Sequence, residues 1–526
     1  MRFDLAARYL AVILSAVLLV ACGGGGGGGE LTAAPPVQTT PPPLAYPIPS
    51  GLWAAEPATL PASGNYIRLQ SDGGDYIGAG RTYTYTQADA LITVSGSGLS
   101  INVGVQGNEQ WRGSFLLPSG AGSLQAGYFS GLTRAPFADK AVGGVDWSGE
   151  GRGCNTLTGW MAIDKITLEA GVLTAIDLRF EQHCEGGAST LHGQVHWTKA
   201  NADTAQLPVP AGIPAGLWQP AASSVPASGN YFYMESRLGD YIGAGRTYLY
   251  TPSNASLVVQ GSGAQLSLKI TGDENWNADF QGMQGMSQLA VGYYAGLKRY
   301  PFNNPVLGGL SISGEGRGCN RLDGWFAVDK AVYSGGVLSA IDLRFEQYCE
   351  NATTPLHGKL HWVAGDTASV PGPQNPPPAG LWTPTGFVAP AGNYVYLVSD
   401  IGDYVGGGRT ELLTSANATI SVDSHLTAAL HINVGGWNGD FVGMNTLSQL
   451  SPGYYGGLQR YPFNNPVRGG LDWSGNGRGC NTLTGWFVVD QATYALGELV
   501  AIDLRFEQHC EGGAAAQHGV IHWVKP

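Results

Sequence analysis

Hydrophobic and polar residues alternate along most of this chain in short runs, broken at short intervals by Gly, Asn, Asp or Ser. No stretch carries the three-to-four spacing of an amphipathic helix. Over the first 200 residues the alternation predicts about ten strands, among them 66–70, 76–86, 91–95, 99–105, 111–117, 159–168, 172–184 and 191–198. Strands at that density, with turn residues between them, imply a sandwich or jelly roll. One run shows the logic. In 176–184, Ile176, Leu178, Phe180 and Cys184 share one face, and Asp177, Arg179, Glu181 and His183 take the other.

The pattern occurs three times. Gly51-Leu52-Trp53, Gly216-Leu217-Trp218 and Gly380-Leu381-Trp382 each open a block, and His196-Trp197, His361-Trp362 and His522-Trp523 each close one. Between them come a Gly-Asp-Tyr motif at 74–82, 239–247 and 402–410, then Gly-Arg-Gly-Cys-Asn at 151–155, 316–320 and 477–481. Ala-Ile-Asp-Leu-Arg-Phe-Glu-Gln follows, identical at 175–182, 340–347 and 501–508. A repeat this long exceeds any solenoid unit, so each copy is expected to be an autonomous domain. The expected fold is all-β: three tandem β-sandwich (jelly-roll-like) domains at 51–198, 216–363 and 380–526. Linkers at 199–215 and 364–379, rich in Pro, Ala, Gly and Asp, suggest beads on a string.

The first residues change the picture from fold to compartment. Arg2 and Arg8 accompany an apolar run from Tyr9 to Val20, too short for a comfortable span and fitting a signal peptide over 1–21. Leu19-Val20-Ala21-Cys22 resembles the lipobox of bacterial lipoproteins, and the resemblance implies a diacylated Cys22 that anchors the chain in a membrane. Gly23, where aspartate would imply inner-membrane retention, implies by the same resemblance the outer membrane or cell surface. Residues 22–50 read as a Gly/Pro-rich tether.

Of seven cysteines, one is left for lipid and two for each block. In an exported protein, Cys154 and Cys184, Cys319 and Cys349, and Cys480 and Cys510 are expected to form one intradomain disulfide each. Metal-binding thiolates would need a second Cys pair or a close spacing. If each bond joins opposed residues of a hairpin, the hairpin turns near Gly171, Gly335 and Gly497. Trp160, Trp325 and Trp486 then face Leu178, Leu343 and Leu504 on the cysteine side.

Composition narrows the chemistry. With 27 Lys and Arg against 39 Asp and Glu, the net charge is −12 and no basic stripe exists, which argues against nucleic acid as a partner. His-x-x-x-His recurs at 192/196, 357/361 and 518/522. On a strand those side chains stand about 13 Å apart and cannot share a metal ion. The Asp-x-Arg-x-Glu row reads as an ion-pair ladder rather than a catalytic pair. No cofactor, metal or catalytic residue is implied, and the chain reads as a monomer.

The best candidate binding residues are aromatic and basic: Tyr128, Arg134 and Phe137, recurring as Tyr293, Arg299 and Phe302, then as Tyr454, Arg460 and Phe463. Asn303-Asn304 and Asn464-Asn465 follow in the later copies only. Aromatic faces against sugar rings, with planar polar groups for hydroxyls, would suit a glycan; the alternative is that these aromatics are core and the arginine pairs with a loop carbonyl.

Asp-Tyr-Ile-Gly, Gly-Arg-Gly-Cys-Asn and Phe-Glu-Gln-His-Cys-Glu together resemble a β-domain of secreted and surface proteins of bacteria. That resemblance covers nearly all of 51–526 and implies no established activity. Copy two departs from it with Tyr348 in place of histidine, and with Ser313 set against Trp147 and Trp473; copy three has Gln517 where Leu191 and Leu356 stand. The expected function is a membrane-anchored envelope lipoprotein displaying three binding or adhesion modules for a glycan or an envelope protein. The alternatives are a hydrolase of envelope polysaccharide, using carboxylates such as Asp75 and Glu181, and a structural spacer.

Overall fold

The computed structural model describes residues 46–203, 208–366, 371–424 and 428–526. The expected signal peptide, Cys22 and the tether up to residue 45 lie outside them. No helix among the described residues is long and apolar enough to cross a membrane.

Each block folds as one ten-stranded sheet. In the first block the strands are β1 (Tyr66–Ser71), β2 (Thr82–Thr86), β3 (Leu91–Ser97), β4 (Ser100–Gln106), β5 (Gln110–Leu116) and β6 (Gly127–Arg134). The remainder are β7 (Gly144–Gly149), β8 (Leu157–Glu169), β9 (Val172–Cys184) and β10 (Leu191–Thr198). Across the sheet they run β2-β1-β10-β9-β8-β6-β7-β5-β4-β3. Neighbours are antiparallel except for a short parallel contact of Thr133 and Arg134 with Gly144 and Val145.

The two sheet edges, β2 and β3, follow each other in sequence, so the sheet curls until they meet in a near-barrel. Gly96 of β3 lies close enough to the start of β9 that a Cβ there would come within 3.0 Å of Leu173. The layered core expected of a sandwich is thus enclosed by a single sheet. The second and third blocks repeat this order, from Tyr231–Ser236 to Leu356–Val363 and from Tyr394–Ser399 to Ala516–Val524. All three expected disulfides are present, Cys154–Cys184, Cys319–Cys349 and Cys480–Cys510.

Burial follows the alternation. Ile176, Leu178 and Phe180 are buried and point inward, where Trp147 stacks on Phe180 at 5.2 Å and Phe115 meets it edge-on. The Leu-His-Gly motif needs its glycine here: a Cβ on Gly193 would come within 2.0 Å of the Phe180 ring. Gln182, fully buried, spans the interior, accepting from the Trp147 N–H and donating to its carbonyl, both at 2.8 Å. In the second block Gln347 makes the same bonds to Ile312. Ile312, not Ser313, is therefore the counterpart of Trp147. Phe232, at the place of Ile67, is buried and stacks on Phe345 at 6.0 Å.

Two expectations are corrected. The run 76–86 is a strand only over Thr82–Thr86. Its first half is a turn built on the buried Asp75, whose carboxylate accepts from Ser71 Oγ at 2.7 Å and from the amides of Ile77 and Gly78. The hairpin register also differs. Leu157, not Cys154, stands opposite Cys184, and Trp160 stands opposite Glu181 on the outer face, not opposite Leu178. Cys154 lies before β8, so its bond joins a turn to a strand end rather than two opposed strand residues.

The linkers do not leave beads on a string. Before each block the chain is laid on that block: Tyr46 O accepts from Tyr128 N, and Ala211 and Gln374 exchange both backbone bonds with Tyr293 and Tyr454. The blocks themselves are clasped. Asn304, 1% exposed, donates to Asp89 O at 2.8 Å and Asn108 Oδ1 at 3.2 Å of the preceding block. Asn465 repeats this on Asn254 O and Asp273 Oδ1. Arg468 adds an ion pair to Asp273 at 3.0 Å.

The outer ends lack the matching halves. Block one has an exposed Asp139 at the asparagine position. Block three pairs Val434 with Trp437 through Gly435-Gly436, where block one pairs Val105 with Trp111 and so retains the Asn108 loop. The clasp therefore exists only at the two internal junctions.

Candidate functional site

The motifs that repeat without change form a latch. On the outer face of β8 to β10, Arg179 bonds both Asp164 carboxylate oxygens at 2.8 and 2.7 Å and reaches across to the Trp53 carbonyl at 2.9 Å. The Gly-Leu-Trp segment is thereby strapped to the sheet, and the Trp53 ring stacks on His192 at 4.7 Å. Arg344 with Trp218, and Arg505 with Trp382, do the same. The ladder expected along the row does not form as read: Arg179 pairs with Asp164, while Glu181 contacts His192 at 2.7 Å and Asp177 contacts His196 at 2.5 Å. The two histidines of each His-x-x-x-His thus face different carboxylates. Among the described residues no cluster of His, Cys, Asp or Glu could hold a metal ion.

The carboxylates a hydrolase would need are engaged. Glu181 is held by His192 and His183, and Asp75 by its own turn. The arginine of Gly-Arg-Gly-Cys-Asn is likewise structural. Arg152 donates to the Ile77 carbonyl at 2.7 Å and lies over Trp111, tying the Asp75 turn to the far half of the sheet.

The third copy of this cluster is sensitive to acid. Glu507 is held down to about 2, first by the adjacent His518 ring, with His509 and the Trp486 indole N–H adding to it and burial opposing. A carboxyl lowered on folding contributes stability above its unfolded value of 4.5 and loses it as pH falls towards 2. Thermal melts between those pH values should therefore fall less steeply in Glu507→Gln than in the wild type. Parallel curves would show that the cluster does not couple protonation to folding.

The candidate binding residues separate into two groups. Tyr128, Tyr293 and Tyr454 are half-buried at the start of their strands, bonded through the backbone to the incoming chain and packed near Trp160, Trp325 and Trp486. Gly127 explains the closeness of that approach: its φ is +151°, and a Cβ would meet Tyr46 at 2.5 Å. These tyrosines do not join the others, which lie at the far end of the same strand.

Arginine and phenylalanine do come together. A tight turn, closed by Phe137 N–H to Arg134 O at 3.0 Å, sets the Arg134 guanidinium 5.3 Å from the Phe137 ring centre. Arg299 and Phe302, and Arg460 and Phe463, repeat this at 5.4 and 5.5 Å. Yet the three rings are 78%, 66% and 75% exposed. Behind two of them, Arg134 Nε lies 3.8 Å from Asp146, and Arg460 Nε lies 3.8 Å from Asp472. That is too long for a hydrogen bond, and these Nε and carboxylate atoms are buried without another partner. Burial pushes both carboxyls up, against the pull of the arginines. Ser311 replaces the aspartate in block two.

Sequence reasoning passed over a second exposed aromatic. Tyr76, Tyr241 and Tyr404 are 57%, 55% and 60% exposed on the Asp75-type turn. Their signal was an aromatic flanked by turn residues, hidden by assigning the segment to a strand.

Neither family models, curated proteins nor solved structures contain a match to this chain.

Proposed function

We propose that the chain is a lipid-anchored envelope protein that displays three glycan-binding modules and carries out no catalysis. The observation that carries this reading is the exposed phenylalanine at the same place in all three blocks, each held face-on by an arginine. An isolated exposed apolar ring needs no explanation, but three copies in water at the same cation–π distance do. A ring of this kind can lie against the apolar face of a pyranose, and the partly exposed guanidinium beside it can donate to sugar hydroxyls. Three such sites on one tether gain avidity on a repetitive polymer, by ~10²–10⁴-fold where the spacing allows simultaneous contact. The lipobox resemblance and the Gly/Pro tether support placement at the outer membrane or cell surface.

The test is a glycan array probed with the soluble 46–526 segment and with the triple variant Phe137→Ala, Phe302→Ala, Phe463→Ala. The wild type should bind a restricted set of polymers, and the triple variant should lose that binding while keeping its circular dichroism and melting temperature. A blank array at high protein concentration, or binding equal in the variant, would overturn the reading.

A further inference from the structure

The junction of blocks one and two gathers Lys298, Arg299 and Arg321 in an otherwise acidic chain. Asn304 holds the Phe302 turn against the Asn108 loop of block one, and a groove of about 420 Å³ opens between the blocks. Block one contributes Asn108, Gln110 and Glu150; block two contributes Phe302 and a set of basic side chains. Two of those basic groups belong to block two alone. Lys298 stands where the other copies have Thr133 and Gln459, and Arg321 where they have Thr156 and Thr482.

The charges are unequally matched. Lys298 is paired with Asp323 of its own block. Glu150 is turned to its own chain, accepting from the Gln110 amide at 2.9 Å. Arg299 has lost its aspartate to Ser311, and neither it nor Arg321 forms an ion pair among the described residues. Two guanidinium groups thus share a groove with an exposed ring and with the amides of Asn108 and Gln110. At the junction of blocks two and three, Arg460 keeps Asp472 and the Lys298 and Arg321 positions are neutral.

We infer that this groove binds an acidic saccharide, one carrying carboxylate or sulfate on its rings. The planar guanidinium matches a carboxylate in a two-pronged contact, Phe302 supplies the face for the ring, and the amides meet hydroxyls. The inference rests on the glycan-binding reading and narrows it. Blocks one and three take sugar through the phenylalanine turn alone. The clasped junction adds selection for charge, and it exists only while Asn304 holds the two blocks together.

Calorimetric titration of the 46–526 segment with oligogalacturonate, against neutral maltotetraose, tests this with three variants. The wild type should prefer the uronate, with an affinity that falls as salt rises. Arg299→Gln combined with Arg321→Thr, the residue of the other copies, should lose that preference at least tenfold. Asn304→Ala leaves every basic group in place and should lose it too, because the groove is no longer assembled. Equal affinity for the two sugars in the wild type, or an unchanged preference in the double variant, would overturn the inference. Loss in the double variant but not in Asn304→Ala would also overturn it, since the site would then lie in block two alone. Failure of the parent reading looks different: no sugar binds, and Phe302→Ala changes nothing.

Discussion

Replacing Gln182 with leucine is expected to destabilise the first block by about 2–6 kcal/mol, since two buried backbone groups would each lose their only partner at about 1–3 kcal/mol. The reason lies in the sheet order. β7 is paired along its length with β5, but its contact with β6 covers two residues only. At Trp147 the N–H and carbonyl face a gap in the ladder, and the Gln182 amide fills that gap as a surrogate strand. Leucine matches the volume and has neither donor nor acceptor. Two readouts should move together: the first block's calorimetric transition drops, and the Trp147 amide exchanges with solvent faster. Gln182→Glu, held neutral by burial, keeps an acceptor and one O–H donor and should fall between, with part of the loss coming from keeping the carboxyl protonated. A loss below about 0.5 kcal/mol, the scale of ordinary surface changes, would show that the Trp147 backbone finds another partner.

The same residue shows what the sequence could and could not reveal. Gln182 lies on the inner face with Phe180, two residues along the same strand. Alternation did not reveal its partner, because periodicity assigns faces to strands and is silent on which strands lie across the interior. Register was misread for a related reason. Opposing the cysteines put Trp160 on the core side, but over Leu157–Ile163 the true pairing is offset by an odd number of residues, which moves the β8 side chains there to the other face. Trp160 is therefore covered from outside rather than from within. The Asp75 turn was hidden because its driving force is a buried carboxylate bonded to Ser71 and two amides, a tertiary arrangement that local alternation resembles but does not encode.

The candidate site was legible where residues are close in sequence. Arg134 and Phe137 meet because a single turn joins them, whereas Tyr128 sits at the other end of β6. The change from Ala138-Asp139 to paired asparagines in the later copies was visible but had no chemistry until the clasp was seen. Identity across the copies marks the latch and the Gln182 bridge; difference marks the junctions. Architecture is what was kept, and the distinctive chemistry lies where blocks meet.

The disulfide should carry a comparable weight. Removing it with Cys154→Ser and Cys184→Ser is expected to lower block stability by about 3–4 kcal/mol, the scale for a loop of about 30 residues. Loop closure is only part of its action. Cys154 is buried in the crossover from β7 to β8, two residues after Arg152, which grips the Ile77 carbonyl, and its sulfur lies 3.9 Å from Gln182 Nε2. The bond fixes this crossover against the end of β9 and so helps to aim the Gln182 amide at Trp147. Coupling between the two is the sharper expectation. Residues that share a network do not add, so Gln182→Leu should cost less in the cysteine-free background than in the oxidised protein. Denaturant titrations of the four proteins close that cycle. Strict additivity would reduce the disulfide to a restraint on the unfolded chain, with no part in placing the bridge that closes the sheet.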